Sequence, residues 1–270
     1  MILQIILFTT FMLVLLYLIL IAIDDSLITR TYQLKTKKFK ENQKLKLVLL
    51  ADTHSFGFGL KYQDVLEQVI PLEPNLIILG GDIFDDKKPL EATDRFLDEL
   101  QKLAPVYYVS GNHEKIAPDY PQMVELLKKN NIIIIEDNII LEKYNILLCG
   151  LDDPRSLDKT IKPTETNLKS AKESGLYKIF LIHRPELAKE YLDLGFDLIL
   201  SGHTHGGQII IPRLANGFFI HGQGVFPKLA GGLYEFGDTT HIISRGLANT
   251  VYFPRIFNPL EIVYLEIEGT

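Results

Sequence analysis

Short apolar runs that end in polar residues recur along the first half of the chain. LKLVLLAD ends on Asp52, LIILGGD on Asp82 and PVYYVSGNH on His113. Runs this short and continuously apolar read as strands buried on both faces. Between them the spacing turns helical. Val65, Leu66, Val69 and Ile70 share one face ahead of Pro71 and Pro74, and Phe96, Leu97, Leu100 and Leu103 share one face of Leu90 to Leu103. Three strand, loop, helix units predict β/α layers with right-handed crossovers, and the repeat stops there, which excludes a solenoid. Their polar residues fall at the carboxyl ends of strands, the edge where open α/β sheets bind ligands.

The pattern then changes. A helix is predicted from Tyr120 to Lys129, followed by IIIIEDN, IILEKY and NILLCGLDD, three closely spaced strands that suggest an antiparallel stretch. The polar LDDPRSLDKTIKPTETN reads as a surface loop running into a short helix. KIFLIHRPE is a further buried run ending on His183, a helix is expected from Pro185, and FDLILSGHTHGGQIIIP brings His203 and His205. In the tail, GLYEFG, HIISRG and EIVYLEIE alternate as half-buried strands do, so two sheets are expected. The intervening PRLANGFFIHGQGVFPKLAGG is loop-rich. No linker interrupts the chain after about Arg30, so residues 30–270 read as one domain.

Ahead of that domain, Ile2 to Ile23 carries no charged residue. At about 1.5 Å per helical residue it can cross a hydrocarbon core of roughly 30 Å. It lacks the basic start, short core and small-x-small site of a cleaved signal, so residues 1–24 read as an uncleaved single-pass anchor, with a removed signal as the weaker alternative. Arg30, Lys35, Lys37, Lys38 and Lys40 follow the span, which leans the domain toward the cytoplasm. The same residues alternate with Tyr32, Leu34 and Phe39 as an edge strand would, which weakens that lean.

Composition narrows the function. The formal charge of −6 argues against a general nucleic-acid binder. The one cysteine, Cys149, sits in an apolar run, so neither an intrachain disulfide nor a cysteine-rich zinc module is available. What remains is a metal-type residue set. His203 and His205 lie one residue apart after a strand and among glycines, a pattern that suits metal ligation. Singly, each candidate has an ordinary reading: Asp52 or Asp82 as a helix cap, His183 as a satisfied buried histidine, Asn112 as a turn residue. His221 and His241 fit no motif and read as surface or supporting residues. Asp85, Asp86, Asp152 and Asp153 are solvated loop acids or partners of ligands. Arg213, Phe218, Phe219 and Phe226 suit either an apolar substrate rim or a packed loop.

Taken together, Asp52-Thr-His54, Gly80-Gly-Asp82, Gly111-Asn-His113-Glu114, His183 and Gly202-His-Thr-His205 resemble the calcineurin-like metallophosphoesterases in type and order. The endings GGQIIIP, ISRGL and FPRIFNPLEI resemble the membrane-anchored bacterial branch of that family. The resemblance implies an α/β fold, a β-sandwich of two mixed sheets flanked by helices, here following an N-terminal transmembrane helix. It implies two divalent ions among Mn, Fe, Zn or Co: Asp52, His54 and His205 on the first, Asn112, His183 and His203 on the second, and Asp82 bridging. His113 would be catalytic. The expected partners are a phosphorylated small molecule or lipid and, through the anchor, a membrane; the expected state is a monomer. The competing class is a non-catalytic metal-binding or protein-interaction scaffold on the same fold, which the complete ligand set disfavours.

Overall fold

A computed structural model of the protein describes residues 2–56, 60–135, 138–154, 175–249 and 254–270, with the side chains at 18, 19 and 21 outside that set. In chain order the helices are α1 (Ile2–Ala22), α2 (Tyr62–Val69), α3 (Glu91–Leu100), α4 (Asn112–Ile116) and α5 (Tyr120–Lys129). The strands are β1 (Leu27–Thr36), β2 (Lys44–Leu50), β3 (Leu76–Leu79), β4 (Val106–Tyr108), β5 (Ile133–Ile134), β6 (Asn138–Leu141), β7 (Ile146–Leu151), β8 (Tyr177–Ile182), β9 (Leu198–Ser201), β10 (Phe219–Ile220), β11 (Gly224–Val225), β12 (Gly232–Phe236), β13 (Thr239–Ile243) and β14 (Leu260–Gly269).

The alternation of side chains along β2 sets the layers. Leu45, Leu47 and Leu49 pack with Leu76 and Ile78 of β3 and, across an interface, with Ile179 and Leu181 of β8 and Leu198 and Leu200 of β9. Val48 and Leu50 belong to the opposite cluster, with Val65 and Val69 of α2, Phe96, Leu97 and Leu100 of α3, and Met123 and Leu127 of α5. Fully burying one such side chain as large as Phe96 stabilises the fold by about 1.5–3 kcal/mol. The outer face of the second sheet carries Leu147, Cys149, Phe180 and Ile182 under Ala188 and Tyr191 of the 3-10 segment Pro185–Leu194. The result is two sheets face to face with a helical layer outside each.

The first sheet runs β1-β14-β2-β3-β4-β5 and the second β12-β13-β9-β8-β7-β6. Both are mixed. β2, β3, β4 and β5 are parallel, whereas β14 runs antiparallel to β2; β13, β9, β8 and β7 are parallel, with antiparallel β12 and β6 at the edges.

Several expectations are corrected. Of the three strands expected to be antiparallel, only β6 and β7 pair that way; β5 adds in parallel to β4 at the edge of the first sheet. Turn residues between short apolar runs cannot say which of two sheets a strand joins. Of the tail strands only β12 is half-buried; β13 and β14 are buried along most of their length. β14 turns Val263, Leu265 and Ile267 between the sheets and Ile262 and Tyr264 toward the helical layer, so both its faces are covered. Ile70 is 54% exposed, because α2 stops at Val69 and the chain tightens into a 3-10 turn over Ile70–Leu72. The short helix expected after Asp153 falls on residues 155–174, outside the described residues.

The N-terminal expectation stands differently. α1 is a 21-residue helix with no acidic residue in its first turn and no basic one in its last, and its described apolar side chains are exposed except Ala22 at its end. Among the described residues, which omit three of its side chains, no helix is long and apolar enough to cross a membrane. Two of the basic residues that leaned the domain toward the cytoplasm serve the fold. β1 is an edge strand, Arg30 pairs with Glu261 at 2.7 Å, and Lys38 pairs with Asp197 at 2.8 Å.

Candidate metal centre

Every predicted site residue lies just past the carboxyl end of a strand. β2 leads to Asp52 and His54, β3 to Asp82, β4 to Asn112 and His113, β8 to His183, and β9 to His203 and His205. Backbone bonds sew these loops together. Asp52 N donates to Gly81 O and His54 N to Asp82 O, both at 3.0 Å, and Gly202 N donates to His183 O at 3.1 Å. Close approach demands glycine here: Gly81 has φ +88°, and a Cβ on it would lie 2.5 Å from His183 Nδ1.

The side chains converge in two groups on either side of Asp82, and His113 adds two more, one with His54 and Asp82 and one with Asp85 and Asp86. Ligand-type atoms of Asp52, His54 and His205 lie within 4.8 Å of one another, as do those of Asp82, His183 and His203. Asp82 Oδ2 is 3.2 Å from His183 Nε2 and 3.9 Å from His54 Nε2, so its carboxylate faces both groups. Asn112 opens α4 beside them, and His113 N donates to Asp82 Oδ1 at 2.9 Å.

The chemistry of these atoms fits cations. His183 Nδ1 meets Gly80 O at 2.8 Å and His205 Nδ1 meets Ala248 O at 3.3 Å. A carbonyl only accepts, so each Nδ1 carries the hydrogen and each Nε2 turns a lone pair inward, the tautomer of a ligating histidine. His54 Nε2 and His205 Nε2 face each other at 3.3 Å, a spacing that a hydrogen on His54 Nε2 or a shared cation satisfies. Among the described residues, buried Asn112 Oδ1 has no hydrogen-bond partner. Such an atom costs about 1–3 kcal/mol unless something electropositive meets it.

The backbone shows the same stress. Asp52, His54, Asp82, His203 and His205 all have positive φ, between 43° and 72°. A left-handed backbone costs a residue with a Cβ roughly 1–2 kcal/mol. Its concentration at five members of one constellation marks a site built for function at the expense of local ease.

Charge is balanced around Asp82. Burial opposes a charge on His183, but the Asp82 carboxylate beside it outweighs this and raises the ring to about 10. Burial likewise opposes ionisation of Asp82, yet His183 holds it well below the usual carboxylate range. The pocket thus calls for positive charge between these two groups, a role a proton or a cation can fill. Burial pushes His203 and His205 well below the ordinary histidine value, which keeps them neutral and able to ligate. Asp52 is raised by burial to about 6.

Two support systems surround the constellation. Glu114 is buried and accepts from four backbone N–H groups: Asp82 (3.0 Å), Ile83 (2.6 Å), Phe84 (3.0 Å) and Gly111 (2.9 Å). Burial and then the Asp82 charge push its carboxyl up to about 8. Four donors on two oxygens leave no lone pair for a proton, so the geometry keeps it a carboxylate. On the other side, Arg255 is fully buried and donates to the carbonyls of Arg245 (2.8 Å) and Ala248 (2.7 Å), with Gly246 and Pro259 at 3.4 Å. It thereby holds the loop whose Ala248 carbonyl meets His205 and whose Leu247 N–H reaches Ala51 O at 3.1 Å. Glu114 and Arg255 stand in motifs singled out by the sequence, but no role could be read for either, because their partners are backbone groups.

The remaining candidates sort by contact. His113 Nδ1 sits 2.8 Å from Asp86 Oδ1, and His54 Nδ1 3.6 Å from Asp85 Oδ2, so these acids partner site histidines. Asp152 accepts from Ser110 Oγ at 2.7 Å, and buried Asp153 pairs with Arg184 at 2.7 Å. His241 is not a surface residue: it is fully buried on β13 against Ser201 Oγ at 2.9 Å, and burial lowers it to about 3. His221 and Arg213 are exposed. Phe218, Phe219 and Phe226 are also exposed rather than packed into the core.

With this geometry in hand, known proteins provide the comparison. The calcineurin-like phosphoesterase family matches residues 45–207, from β2 through the His203 and His205 loop. An uncharacterized metallophosphoesterase of Campylobacter jejuni is 31% identical over 236 residues, 83% of this chain and 59% of its own length. Phosphodiesterase YaeI of Escherichia coli is 28% identical over 239 residues, 85% of this chain and 84% of its own. Among solved structures, a dimetal phosphatase from Danio rerio is similar with a TM-score of 0.48 at 15% identity, covering 76% of this chain and 88% of that one. The chain belongs to the calcineurin-like phosphoesterase family, the metal-dependent phosphoesterases.

Proposed function

We propose that the protein is a membrane-anchored phosphohydrolase that uses two divalent ions to cleave a phosphodiester or pyrophosphate bond. The observation that carries this reading is the pair of His and Asp groups on either side of Asp82, with inward Nε2 atoms and an unpartnered Asn112 oxygen. Asp52, His54 and His205 would hold one ion, Asn112, His183 and His203 the other, and Asp82 both. The mixed nitrogen and oxygen donors suit Mn, Fe, Zn or Co. When bound, such a pair supplies Lewis acidity and an activated water for in-line attack on phosphorus.

The chain's own residues supply the rest. His113 sits at the edge of the constellation, its ring edge-on to His54 with centroids 4.6 Å apart. Burial opposes a charge on it, but Asp82 and then Asp86 outweigh that and raise its pKa. Protonated and aimed by Asp86, it would stabilise the phosphoryl oxygens and give its proton to the leaving oxygen. Glu114 holds the Asp82 loop, and Arg255 holds the loop that orients His205.

The anchor reading rests on the sequence, where Ile2 to Ile23 carries no charged residue, and the resemblance to a membrane-anchored bacterial branch supports it. An enzyme tethered at a bilayer meets lipid-linked substrates at raised local concentration, which favours a lipid-linked or envelope phosphodiester. The test uses the full chain in detergent, loaded with Mn and offered bis-p-nitrophenyl phosphate and p-nitrophenyl phosphate. Faster release from the diester is expected. No hydrolysis of either with any divalent metal would favour the scaffold reading.

A further inference from the structure

Three elements meet at one short segment of the chain. Ile256 bridges Ile23, at the end of α1, on one side and Ile209 on the other; Phe257 N donates to Ala22 O at 2.8 Å and Ile210 N to Ile256 O at 2.9 Å. Two strand spacings, about 10 Å, thus separate the end of α1 from the root of the loop that follows His205. Asn258, in the same segment, donates to His205 O at 2.7 Å. Phe218 N donates to Gly207 O at 3.1 Å, so the end of α1, the metal constellation and the β10–β11 hairpin are fixed relative to one another.

That hairpin and its flanks expose what soluble surfaces avoid. Leu214 is 85% exposed, Phe219 50%, Val225 56% and Phe226 58%, and Phe257, in the segment that bridges Ile209, 49%. The charge pattern is as unusual. No Asp or Glu occurs between Leu198 and Tyr234, in a chain where acids outnumber Lys and Arg by 34 to 28, while Arg213 and Lys228 are exposed there. Exposed aromatic and aliphatic side chains with flanking cations are the composition of a segment that lies in the headgroup region of an anionic bilayer, and the acids nearest Phe257, Asp24 and Asp25, follow α1 where a polar boundary belongs.

We infer that the β10–β11 hairpin, with Leu214 and Phe257, is a second membrane contact that seats the metal constellation against the bilayer. The inference rests on the anchored reading of α1 and deepens it. A single helix leaves its domain free to swing, whereas a helix and a hairpin rooted on the same segment fix which edge faces the lipid. The edge so fixed holds His205 and its neighbours, so the substrate class is a phosphodiester at a lipid headgroup, reached from the interface.

The chain contains no tryptophan, so one substitution creates a silent-background probe. Full-length F219W, F11W and I140W are placed in phosphatidylcholine and phosphatidylglycerol vesicles, with acyl chains brominated near the headgroup in one set and near the chain ends in a second, the second set reading residue 11 at mid-bilayer. Ile140 lies on β6, at the edge of the second sheet away from β12, and serves as the water-facing control. F219W should be blue-shifted and lose roughly half of its emission or more, as expected of a ring sunk about 5–10 Å into the interface. I140W should lose none. F226W repeats the measurement should F219W fail to fold. If F11W is quenched but F219W and F226W are not, the hairpin does not meet lipid and the inference falls while the anchor survives. If none is quenched, both fall. Quenching of F219W without F11W would support the hairpin contact and remove the anchor. Blue-shifted F219W emission that bromine leaves intact and dilution reverses would mean a second copy covers the hairpin, which overturns the inference.

Discussion

The two halves of the constellation are held in different ways. On the first sheet, Asp52, His54, Asp82, Asn112 and His113 sit on successive strand ends, and one side chain within that repeat supports them: Glu114 gathers the N–H groups of residues 82–84, 30 to 32 positions back, and of Gly111. On the second sheet, His205 is oriented from much further along the chain, by Ala248, Asn258 and, through the 245–248 loop, Arg255. Support from within the repeat arrives with the strands that carry the ligands, and support from outside it arrives only with the C-terminal strands. The first half is built by the strand, loop, helix repeat, whereas the second needs the C-terminal strands in place before its histidine is aimed.

The largest effect tests a residue that belongs to neither support. His113→Ala should lower turnover by about 10²- to 10⁴-fold while metal content stays near wild type, as for a lost general acid. Loss of metal with activity would make His113 a ligand instead. Next comes the comparison itself. Glu114→Ala strands four buried N–H groups and should cost more than about 3 kcal/mol of stability, read as a lowered denaturation midpoint. Arg255→Met should act on aim: metal affinity falls by about 10- to 100-fold, as for partners that orient ligands, while Arg255→Lys recovers part of it. Equal loss of stability in both, with no selective change in metal affinity for Arg255→Met, would erase the distinction between the halves.

The smallest effect concerns protons. The neighbouring carboxylates raise the pKa of His113 above its ordinary value, so its charged form is present below that raised value and is lost as pH rises through it. Activity that needs the proton therefore declines on the alkaline side. Asp86→Asn removes one of those carboxylates and should move the alkaline limb of the kcat profile to lower pH, leaving the acid limb in place. An unmoved limb would assign that titration to another group.

Much of this was legible in the sequence, for physical reasons. β2, β3, β4, β8 and β9 are covered on both faces and so read as continuous apolar runs, and α5 matches its expected Tyr120–Lys129. The chain order of Asp52, His54, Asp82, His183, His203 and His205 led to the two groups that the fold brings together. What was not legible depends on partners far along the chain. β5 joins the first sheet rather than pairing with β6, β14 is interior because β1 covers it, and His241 is buried by its neighbours on β9 and β12. Glu114 and Arg255 act on backbone groups, and backbone groups leave no trace in residue identity.

The central claim is that Asp82 joins two ion sites rather than completing one. The direct measurement is anomalous scattering from crystals of the full chain grown with Mn, on the wild type and on His205→Ala. The account predicts two peaks about 3.5–4 Å apart astride Asp82 in the wild type. In His205→Ala the peak near Asp52 and His54 should weaken while that near Asn112, His183 and His203 persists. A single peak in the wild type, or two that ignore Asp82, would contradict it.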